Sequence, residues 1–204
     1  MARSRAGGPA GPGGPPPGPI PGNTTHLSVV DAEGNAVSLT ASNGETCGDL
    51  WPGTDIAMNN FLGEDDIHPR GFHLGPPGAA FRTMMTPSLL VEEDGGVVAI
   101  GSGGANRIRT VMLQVVRHLV DGGQGLEAAV MAPRIHVEGG GVQVEDLGLG
   151  PAFLDAISGG HRRVTRFESR HLYFGGAHTA ALRGDGTREA FGDPRRSGDG
   201  RIAE

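Results

Sequence analysis

Two adjacent threonines, Thr24 and Thr25, stand with His26 at the start of an alternating run of apolar residues, directly after a segment rich in glycine and proline. A threonine hydroxyl is a poor nucleophile unless a base lies beside it. If the peptide bond before the threonine is cut, the freed α-amine, with a pKa of about 8, can take the hydroxyl proton. Thr24 is placed for that chemistry, but Thr-Thr pairs are also common at strand starts, so composition alone favours a structural interpretation. We predict a structural role for His26, because strand alternation directs it away from at least one neighbour.

Other motifs that could carry chemistry are weaker. The stretch "GSGGAN", residues 101–106, could cradle a phosphate at a helix start, but the chain has no lysine, which excludes a P-loop. The Gly-x-Ser-x-Gly elbow of α/β-hydrolases is absent. The eight histidines show no metal-binding spacing. We interpret four of them as surface or core residues: His68, His73, His161 and His171.

The strands that must carry Thr24 follow from alternation and turn residues. Residues 26–30 and 36–40 alternate around the turn "DAEGN", which predicts a hairpin. Residues 88–102 predict a second hairpin around Asp94-Gly95-Gly96, and residues 161–192 predict strands with turns at 175–176 and 183–186. One face of the first hairpin is apolar and consists of Leu27, Val29, Val37 and Leu39.

Helices are predicted between the two strand-rich regions. Asn106 is expected to cap a helix that runs through Asp121, and shorter helices are expected over 126–132 and 151–157. The first helix has an apolar stripe made of Ile108, Val111, Met112, Val115 and Leu119. Sheets with helices packed on their faces indicate an α+β fold or a layered αββα sandwich.

Composition limits the classes of function. The chain has 204 residues, enough for one domain with a core. Its net charge of −6 argues against general nucleic-acid binding, and the single cysteine, Cys47, excludes an internal disulfide. No apolar run is long enough to span a membrane. The first residues lack the apolar core of a signal peptide, which leaves the compartment unknown and favours the cytoplasm.

The N-terminal segment differs from the rest. Glycine and proline make up 14 of residues 1–22, so this stretch cannot bury enough apolar surface to offset its chain entropy. We predict that residues 1–22 are a disordered segment or linker and that residues 23–204 form one domain. At the other end, "DPRRSGDGR" is expected to be an exposed tail unless Asp193 and Arg195 tie it to the domain.

Longer stretches of the chain resemble a known family. The stretch "NTTHLSVVDAEGNAVSLTAS" (23–42) resembles the start of the small subunit of the γ-glutamyltransferase (γ-glutamyl transpeptidase) family, and "MNNFLGEDD", "RTMMTPSLLV", "GSGGANRIRTVMLQVV", "APRIHV" and "GDPRR" continue the likeness in order. Members are N-terminal-nucleophile hydrolases, made as one precursor that cleaves itself before the nucleophilic threonine. The resemblance implies an αββα sandwich and is strongest to the divergent, acylase-like members.

The resemblance assigns catalytic roles to four residues. It makes Thr24 the nucleophile and, after cleavage between Asn23 and Thr24, its own base. Ser42 falls where the family keeps a hydroxyl that hydrogen-bonds the nucleophile and helps processing. Gly104 and Ala105 fall where two backbone N–H groups form the oxyanion hole, although the family has glycine in place of the alanine. No metal or organic cofactor is implied.

Substrate-binding residues follow from the same resemblance. Glu64 corresponds to the acid that grips the α-amine of the glutamyl group, and its neighbours Asp65 and Asp66 leave room for a slip of one position. Asn43 lies one step from the asparagine of glutathione-cleaving members. Thr83 occupies the first position of their serine pair.

Three positions depart from the glutathione-cleaving pattern. Gly44 stands where those members have the asparagine, Phe61 where they have a carboxamide or acid, and Met84 where they have the second serine. Each change removes a polar partner for the amino-acid end of the substrate, and unmet polar groups strongly reduce recognition. The resemblance therefore implies a bulkier or less polar acyl group than glutathione offers.

The family's large subunit is expected as a partner. It precedes the small subunit in the precursor, and its arginine binds the substrate carboxylate, so this chain is expected to be a fragment, half of a two-chain enzyme, or a remnant. The expected function is transfer of a γ-glutamyl-type acyl group, through a Thr24 acyl-enzyme, from an acyl-amide small molecule to water or an amine. The alternative is a non-catalytic fragment or partner subunit that acts only by associating with a large-subunit-like chain.

Overall fold

The computed structural model of the protein describes residues 24–159 and 163–203. The predicted segment at residues 1–22, the residue Asn23 and His161 lie outside that part, so the domain boundary stays a prediction. The strands, in chain order, are β1 Thr24–Val30, β2 Ala36–Ser42, β3 Ser88–Val91, β4 Val97–Gly103, β5 Ile135–Glu138, β6 Gly141–Glu145, β7 Arg163–Phe167, β8 Gly176–Leu182 and β9 Arg188–Gly192. The helices are α1 Arg107–Val120, α2 Leu126–Met131 and α3 Pro151–Ser158.

Two sheets, one of them the hairpin that begins at Thr24, pack face to face. Strands β1 and β2 form the predicted antiparallel hairpin, with Thr24 opposite Ser42. This hairpin lies across β4 and β8 of a four-stranded antiparallel sheet with the order β3-β4-β8-β9. The predicted second hairpin, β3–β4, is confirmed. A third sheet, β5-β6-β7, contains one parallel pair, β6–β7.

The inner face of the first hairpin is polar. The Ser38 hydroxyl donates to the carbonyl oxygen of Ile100 on β4 at 2.9 Å, and the Ser28 hydroxyl donates to that of His178 on β8 at 3.0 Å. The imidazole of His26 lies directly over Gly101, where any side chain would overlap the ring. The opposite, apolar face of the hairpin is about half exposed at Leu27, Val29, Val37 and Leu39.

Helices α1 and α2 cover the other face of the four-stranded sheet. The predicted stripe of α1 is buried at Ile108, Val111, Met112 and Val115, and Leu119 packs at its edge. These side chains meet Ile100 and Ala177 of the sheet and Ala129 and Val130 of α2 in one cluster. The order hairpin, sheet, helices is the ββα part of the αββα sandwich, and the predicted α+β class is confirmed.

Two details of the sequence analysis are corrected. Asn106 does not cap α1 with its side chain, since its own backbone is already helical. Its amide instead donates to Asp66 at 2.6 Å and to Glu138 at 2.9 Å, because a carboxylate from a 3-10 turn and one from the end of β5 converge there. The hairpin β5–β6 was not predicted, although its two-residue turn, Gly139-Gly140, has positive φ at both positions and is a recognised hairpin turn.

The tail is not an exposed extension. Asp193 and Arg195 are buried and join Arg134 and Glu145 in an ionic cluster. Arg134 pairs with Asp193 at 2.6 Å, and Arg195 pairs with Glu145 at 2.6 Å. Asp193 also accepts the backbone N–H of Ala177 on β8 at 3.0 Å. These bonds tie the tail to the four-stranded sheet as the sequence allowed.

Neither a membrane span nor a metal cluster emerges from the residues that the structure describes. No helix among them is both long and apolar enough to cross a bilayer. No three of their histidine, cysteine, aspartate and glutamate side chains are grouped to hold a metal ion.

Candidate active site

The site forms at the end of the first hairpin, where β1 begins and β2 ends. Register places Thr24 opposite Ser42, and their hydroxyl oxygens lie 2.9 Å apart. Ser42 Oγ also accepts the N–H of Gly44 at 3.0 Å. Either hydroxyl can be the donor in the contact between them, and while Ser42 accepts from Gly44 its own hydrogen can still donate to Thr24 Oγ1. A donor in that place stabilises negative charge that develops on the threonine oxygen.

The backbone of Thr24 rests on glycine and is held by an arginine. A side chain at Gly103 would come within 2.7 Å of the Thr24 carbonyl oxygen, so only glycine lets the strands approach this closely. The guanidinium of Arg196 donates to the same carbonyl oxygen at 3.2 Å. Thr24 itself is half-buried, and Thr25 is exposed.

Gly104 and Ala105 form the turn between β4 and α1. Their carbonyl oxygens accept from the N–H groups of Arg107 and Ile108 and so begin the helix. Within the described part of the chain, neither of their own N–H groups donates to another backbone group. Gly104 has φ of 141° and Ala105 has φ of 50°. The left-handed conformation costs a non-glycine residue about 1–2 kcal/mol, so Ala105 holds the turn under strain.

Glu64 is fixed beside Gly44. Its Oε1 accepts the N–H of Glu45 at 3.0 Å, and Asn60 Oδ1 accepts the same N–H at 2.8 Å. Gly44 has φ of 65°, and any Cβ there would overlap both Glu64 and Asn60. Burial raises the pKa of Glu64, and the hydrogen bond from Glu45 opposes that effect. The absence of a side chain at Gly44 therefore makes room for this carboxylate.

Three other predicted binding residues are not drawn into the same cluster. The amide of Asn43 points to the carbonyl oxygen of Ala57 at 3.4 Å. Asp65 and Thr83 are exposed. Among the described residues, none of these three side chains hydrogen-bonds to Thr24, Ser42 or Glu64.

Asp66 and Met84 have contacts outside the Thr24–Ser42 pair. Asp66 accepts from Asn106 and so serves as a link between loops. Met84 packs against the core cluster that includes Ile100 of β4, an environment that suits an apolar side chain. Phe61 lies with Phe81 at a ring-centroid distance of 6.4 Å. The rings of Phe81 and His68 are tilted, with centroids 6.1 Å apart. Phe61, His68 and Phe81 together form an aromatic wall next to Glu64, whose N–H donates to the Phe61 carbonyl oxygen at 3.4 Å.

His26 is structural, as predicted. Its Nδ1 lies 2.7 Å from Thr40 Oγ1 and its Nε2 lies 3.0 Å from Ser28 Oγ, so both ring nitrogens have partners. Burial, reinforced by the nearby His178, lowers the pKa of His26 to about 4. A neutral imidazole with a hydrogen bond at each ring nitrogen lies between the two sheets, and it fixes β1 and hence Thr24.

Two site residues escaped the sequence analysis. Asn60 was quoted only within a motif, and it shares the N–H of Glu45 with Glu64. Arg196 belongs to "GDPRR", 172 positions after Thr24, and no local pattern links the two. The only sequence signal was the density of charge in that tail.

Comparisons with known proteins agree with this geometry. The sequence model of the gamma-glutamyltranspeptidase family matches residues 9–203. The chain is 34% identical over 171 residues to the acylase ACY 1 proenzyme of Pseudomonas sp. (strain V22). This alignment covers 81% of this chain and 29% of the relative. It is 34% identical over 119 residues to the glutathione hydrolase proenzyme of Bacillus subtilis subsp. natto, which covers 57% of this chain and 20% of that relative.

A solved structure matches at the level of the fold. The cephalosporin acylase of Bacillus halodurans superimposes with a TM-score of 0.71 and 27% identity, over 88% of this chain and 34% of that one. The chain thus spans about a third or less of the length of these relatives. The predicted likeness to acylase-type members is confirmed.

Proposed function

The chain belongs to the gamma-glutamyltranspeptidase family, and on that basis we propose that it carries the nucleophile of an N-terminal threonine amidohydrolase or acyltransferase. Family membership supports hydrolase or transferase chemistry. The observation that carries the proposal for this chain is the 2.9 Å contact between Thr24 Oγ1 and Ser42 Oγ at the first residue of β1. Cross-strand Thr–Ser hydrogen bonds also stabilise hairpins, so activity with and without the Thr24 hydroxyl is what tests the catalytic role.

The reaction proceeds by acyl transfer. After cleavage before Thr24, its α-amine takes the hydroxyl proton while Oγ1 attacks the amide carbonyl carbon of the donor. The N–H groups of Gly104 and Ala105 bind the oxyanion. Collapse breaks the C–N bond, the α-amine returns the proton to the leaving amine, and an ester to Thr24 remains. Water or an acceptor amine then attacks the ester, loses a proton to the α-amine, and releases the acyl group and the free hydroxyl.

The proposed donor carries an α-amine, and its acyl or leaving group is less polar than that of glutathione. Glu64 supplies the carboxylate for an ammonium group, and Gly44 gives it the room. The aromatic wall of Phe61, His68 and Phe81 favours an apolar acyl or leaving group. Two relatives are named as an acylase and a glutathione hydrolase, and we place this chain nearer the first in specificity.

A large-subunit-like chain is the proposed partner. The curated relatives are proenzymes of which this chain matches only a part. The apolar face of the first hairpin, Leu27, Val29, Val37 and Leu39, is about half exposed, although it belongs to the strands that hold the nucleophile. Helices from the partner would bury this face and supply the outer α layer that completes the αββα sandwich.

Enzyme assays on the assembled pair test the proposal. The chain is co-produced with its large-subunit-like partner, and aniline release is followed from γ-glutamyl anilide, from its analogue without the α-amine, and from anilides of bulkier acyl groups. Release that needs Thr24 supports the proposal. If the pair assembles yet releases no aniline from any donor, the chain is the non-catalytic partner subunit of the alternative.

The donors rank the substrate classes. We expect anilides of bulkier acyl groups to have the higher kcat/KM and glutathione to be a poor donor. Efficient turnover of glutathione, equal to that of the best anilide, would contradict the specificity while leaving the acyl-transfer chemistry in place.

A further inference from the structure

We propose that Arg196 is a positioning residue for the nucleophile: its guanidinium fixes the Thr24 carbonyl, and its charge keeps the freed α-amine of Thr24 in the neutral form that accepts a proton. This inference rests on the proposed role of Thr24. It adds a residue from the far end of the chain to the acyl-transfer machinery.

The contact is direct and is built into the sheet. Arg196 Nη2 donates to the carbonyl oxygen of Thr24 at 3.2 Å. Gly103 and Gly176 are paired across β4 and β8, and together they form the floor under both groups. A Cβ on Gly103 would lie 2.7 Å from the Thr24 oxygen, and a Cβ on Gly176 would lie 2.9 Å from Cβ and Cγ of Arg196. Side chains at either position would push the arginine or the threonine away.

The turn that carries Arg196 is anchored by buried charge. Residues Pro194–Arg196 form a short 3-10 turn, in which Asp193 Oδ1 accepts the N–H of Arg195 at 2.9 Å. Asp193 pairs with Arg134, and Arg195 pairs with Glu145. Because these pairs hold Asp193 and Arg195 in place, the main chain of Arg196 has a fixed position relative to β8 and therefore to Thr24.

The charge of Arg196 acts on the amine at short range. Within one residue the backbone nitrogen lies at most about 3.6 Å from the carbonyl oxygen, so the guanidinium is about 7 Å or less from the α-amine. A cation at that distance disfavours the protonated amine and lowers its pKa, by about one unit in a half-exposed site. A lower pKa leaves more of the amine neutral and ready to act as the base.

Other charged groups around the start of β1 form a background that is the same in the wild type and in variants of Arg196. Strands β2 and β4 carry no titratable side chain. The remaining groups are His26 on β1, His178 on β8, Arg107 at the start of α1, Glu64 beside Gly44, and Asp193 and Arg195 in the tail. Asp193 is neutralised by its pairs with Arg134 and Arg195. Arg107 has the same sign as Arg196 and adds to its field.

The test compares pH profiles of variants in the assembled enzyme. Arg196→Gln removes the charge, Arg196→Lys keeps it, and Arg201→Gln, at an exposed arginine of the same tail, is the control. The kcat/KM for γ-glutamyl anilide is measured from about pH 5 to 10, and cleavage before Thr24 is followed by intact mass. Removing the cation raises the amine pKa, so the acid limb should move up by about one pH unit in Arg196→Gln and by much less in Arg196→Lys. Arg201→Gln should match the wild type.

Two results would overturn the inference. One is an acid limb in Arg196→Gln that coincides with the wild type; the other is an equal loss of activity at every pH together with a lower Tm, which marks a merely structural role. If Arg196→Gln does not fold, Arg196→Met keeps the aliphatic stem over Gly176 and gives the same comparison. Thr24→Ala separates the two proposals: activity without Thr24 removes the proposed function, whereas an inactive Thr24→Ala with an unmoved Arg196→Gln profile removes only this one.

Discussion

Thr24 Oγ1 and Ser42 Oγ face each other across the first hairpin at 2.9 Å, in a register that is fixed by seven paired positions from Thr24↔Ser42 to Val30↔Ala36. The last strand residue before the Gly44 turn thus supplies the hydroxyl that meets the first residue of β1. Since strand pairing sets this distance, the contact exists before any substrate binds.

Replacing Ser42 by alanine should slow the chemistry without unfolding the protein. Ser42 is half-buried, and among the residues that the structure describes its hydroxyl bonds Thr24 and Gly44. Loss of one such donor at a developing oxyanion lowers rates about 10- to 1000-fold. Both processing before Thr24 and kcat should fall by a factor in this range. Ser158→Ala is the control, at an exposed serine in the last position of α3 whose hydroxyl donates to the Leu154 carbonyl oxygen, and an unchanged rate in Ser42→Ala would mean that the contact has no catalytic role.

Gly44→Ala should displace Glu64. Gly44 and Gly53 both have positive φ, at 65° and 78°, but only Gly44 is packed against a side chain. Alanine at either position meets left-handed strain of about 1–2 kcal/mol. Only Gly44→Ala should also raise KM, by 10-fold or more, for donors that carry an α-amine. Equal KM values in Gly44→Ala and Gly53→Ala would remove Glu64 from the amine site.

Replacing His26, which lies on β1 two residues after Thr24, should alter the stability of the fold at acid pH. His26 has a pKa of about 4 when folded and about 6.5 when unfolded. Above pH 6.5 it is neutral in both states; as the pH falls towards 4, the unfolded state binds a proton that the folded state does not. Stability is therefore lost across this window, by up to about 3 kcal/mol.

Urea unfolding of the soluble protein at pH 7.0 and pH 4.5 measures that loss. In His26→Asn the difference between the two pH values should shrink by about 2 kcal/mol. Part of it should remain, because burial also lowers the pKa of His136 and of His178. An identical difference in the variant and the wild type would show that His26 titrates alike in both states.

The buried ionic cluster should respond strongly to the loss of one charge. Asp193→Asn leaves Arg134 without its buried partner, and breaking such a pair costs about 3–5 kcal/mol. Asp199→Asn breaks an exposed pair with Arg201 and should change the Tm little. Tm values from thermal unfolding compare the two. Similar Tm values for both variants would mean that the cluster is not what anchors the tail.

How much of this was predictable depends on the range of the interaction. The hairpins β1–β2 and β3–β4 and the stripe of α1 follow from local alternation and turn residues, and they are confirmed. The prediction that Asn106 caps α1 with its side chain was wrong, because that side chain bonds Asp66 and Glu138, which lie 40 and 32 positions away. Local propensity cannot report such partners.

The candidate site divides in the same way. Thr24 and Ser42 meet because of strand register, which a hairpin pattern predicts. The hold of Arg196 on Thr24 needs the whole of the four-stranded sheet and its paired glycines, Gly103 and Gly176, and no short pattern encodes it. The sequence indicated that Gly44 removes a polar contact to the substrate. In the fold, the missing side chain of Gly44 leaves the space that the Glu64 carboxylate occupies.

The N-terminus of the processed chain tests the central claim most directly. The protein is produced together with its large-subunit-like partner, or as the longer precursor if the gene encodes one, and its intact mass is followed over time for the wild type, Thr24→Ser and Thr24→Ala. We predict a product whose first residue is Thr24 in the wild type, a slower but detectable product in Thr24→Ser, and none in Thr24→Ala, with aniline release lost in step. A wild-type chain that stays uncleaved yet releases aniline, or a Thr24→Ala chain that does so, would contradict the assignment of Thr24 as the nucleophile.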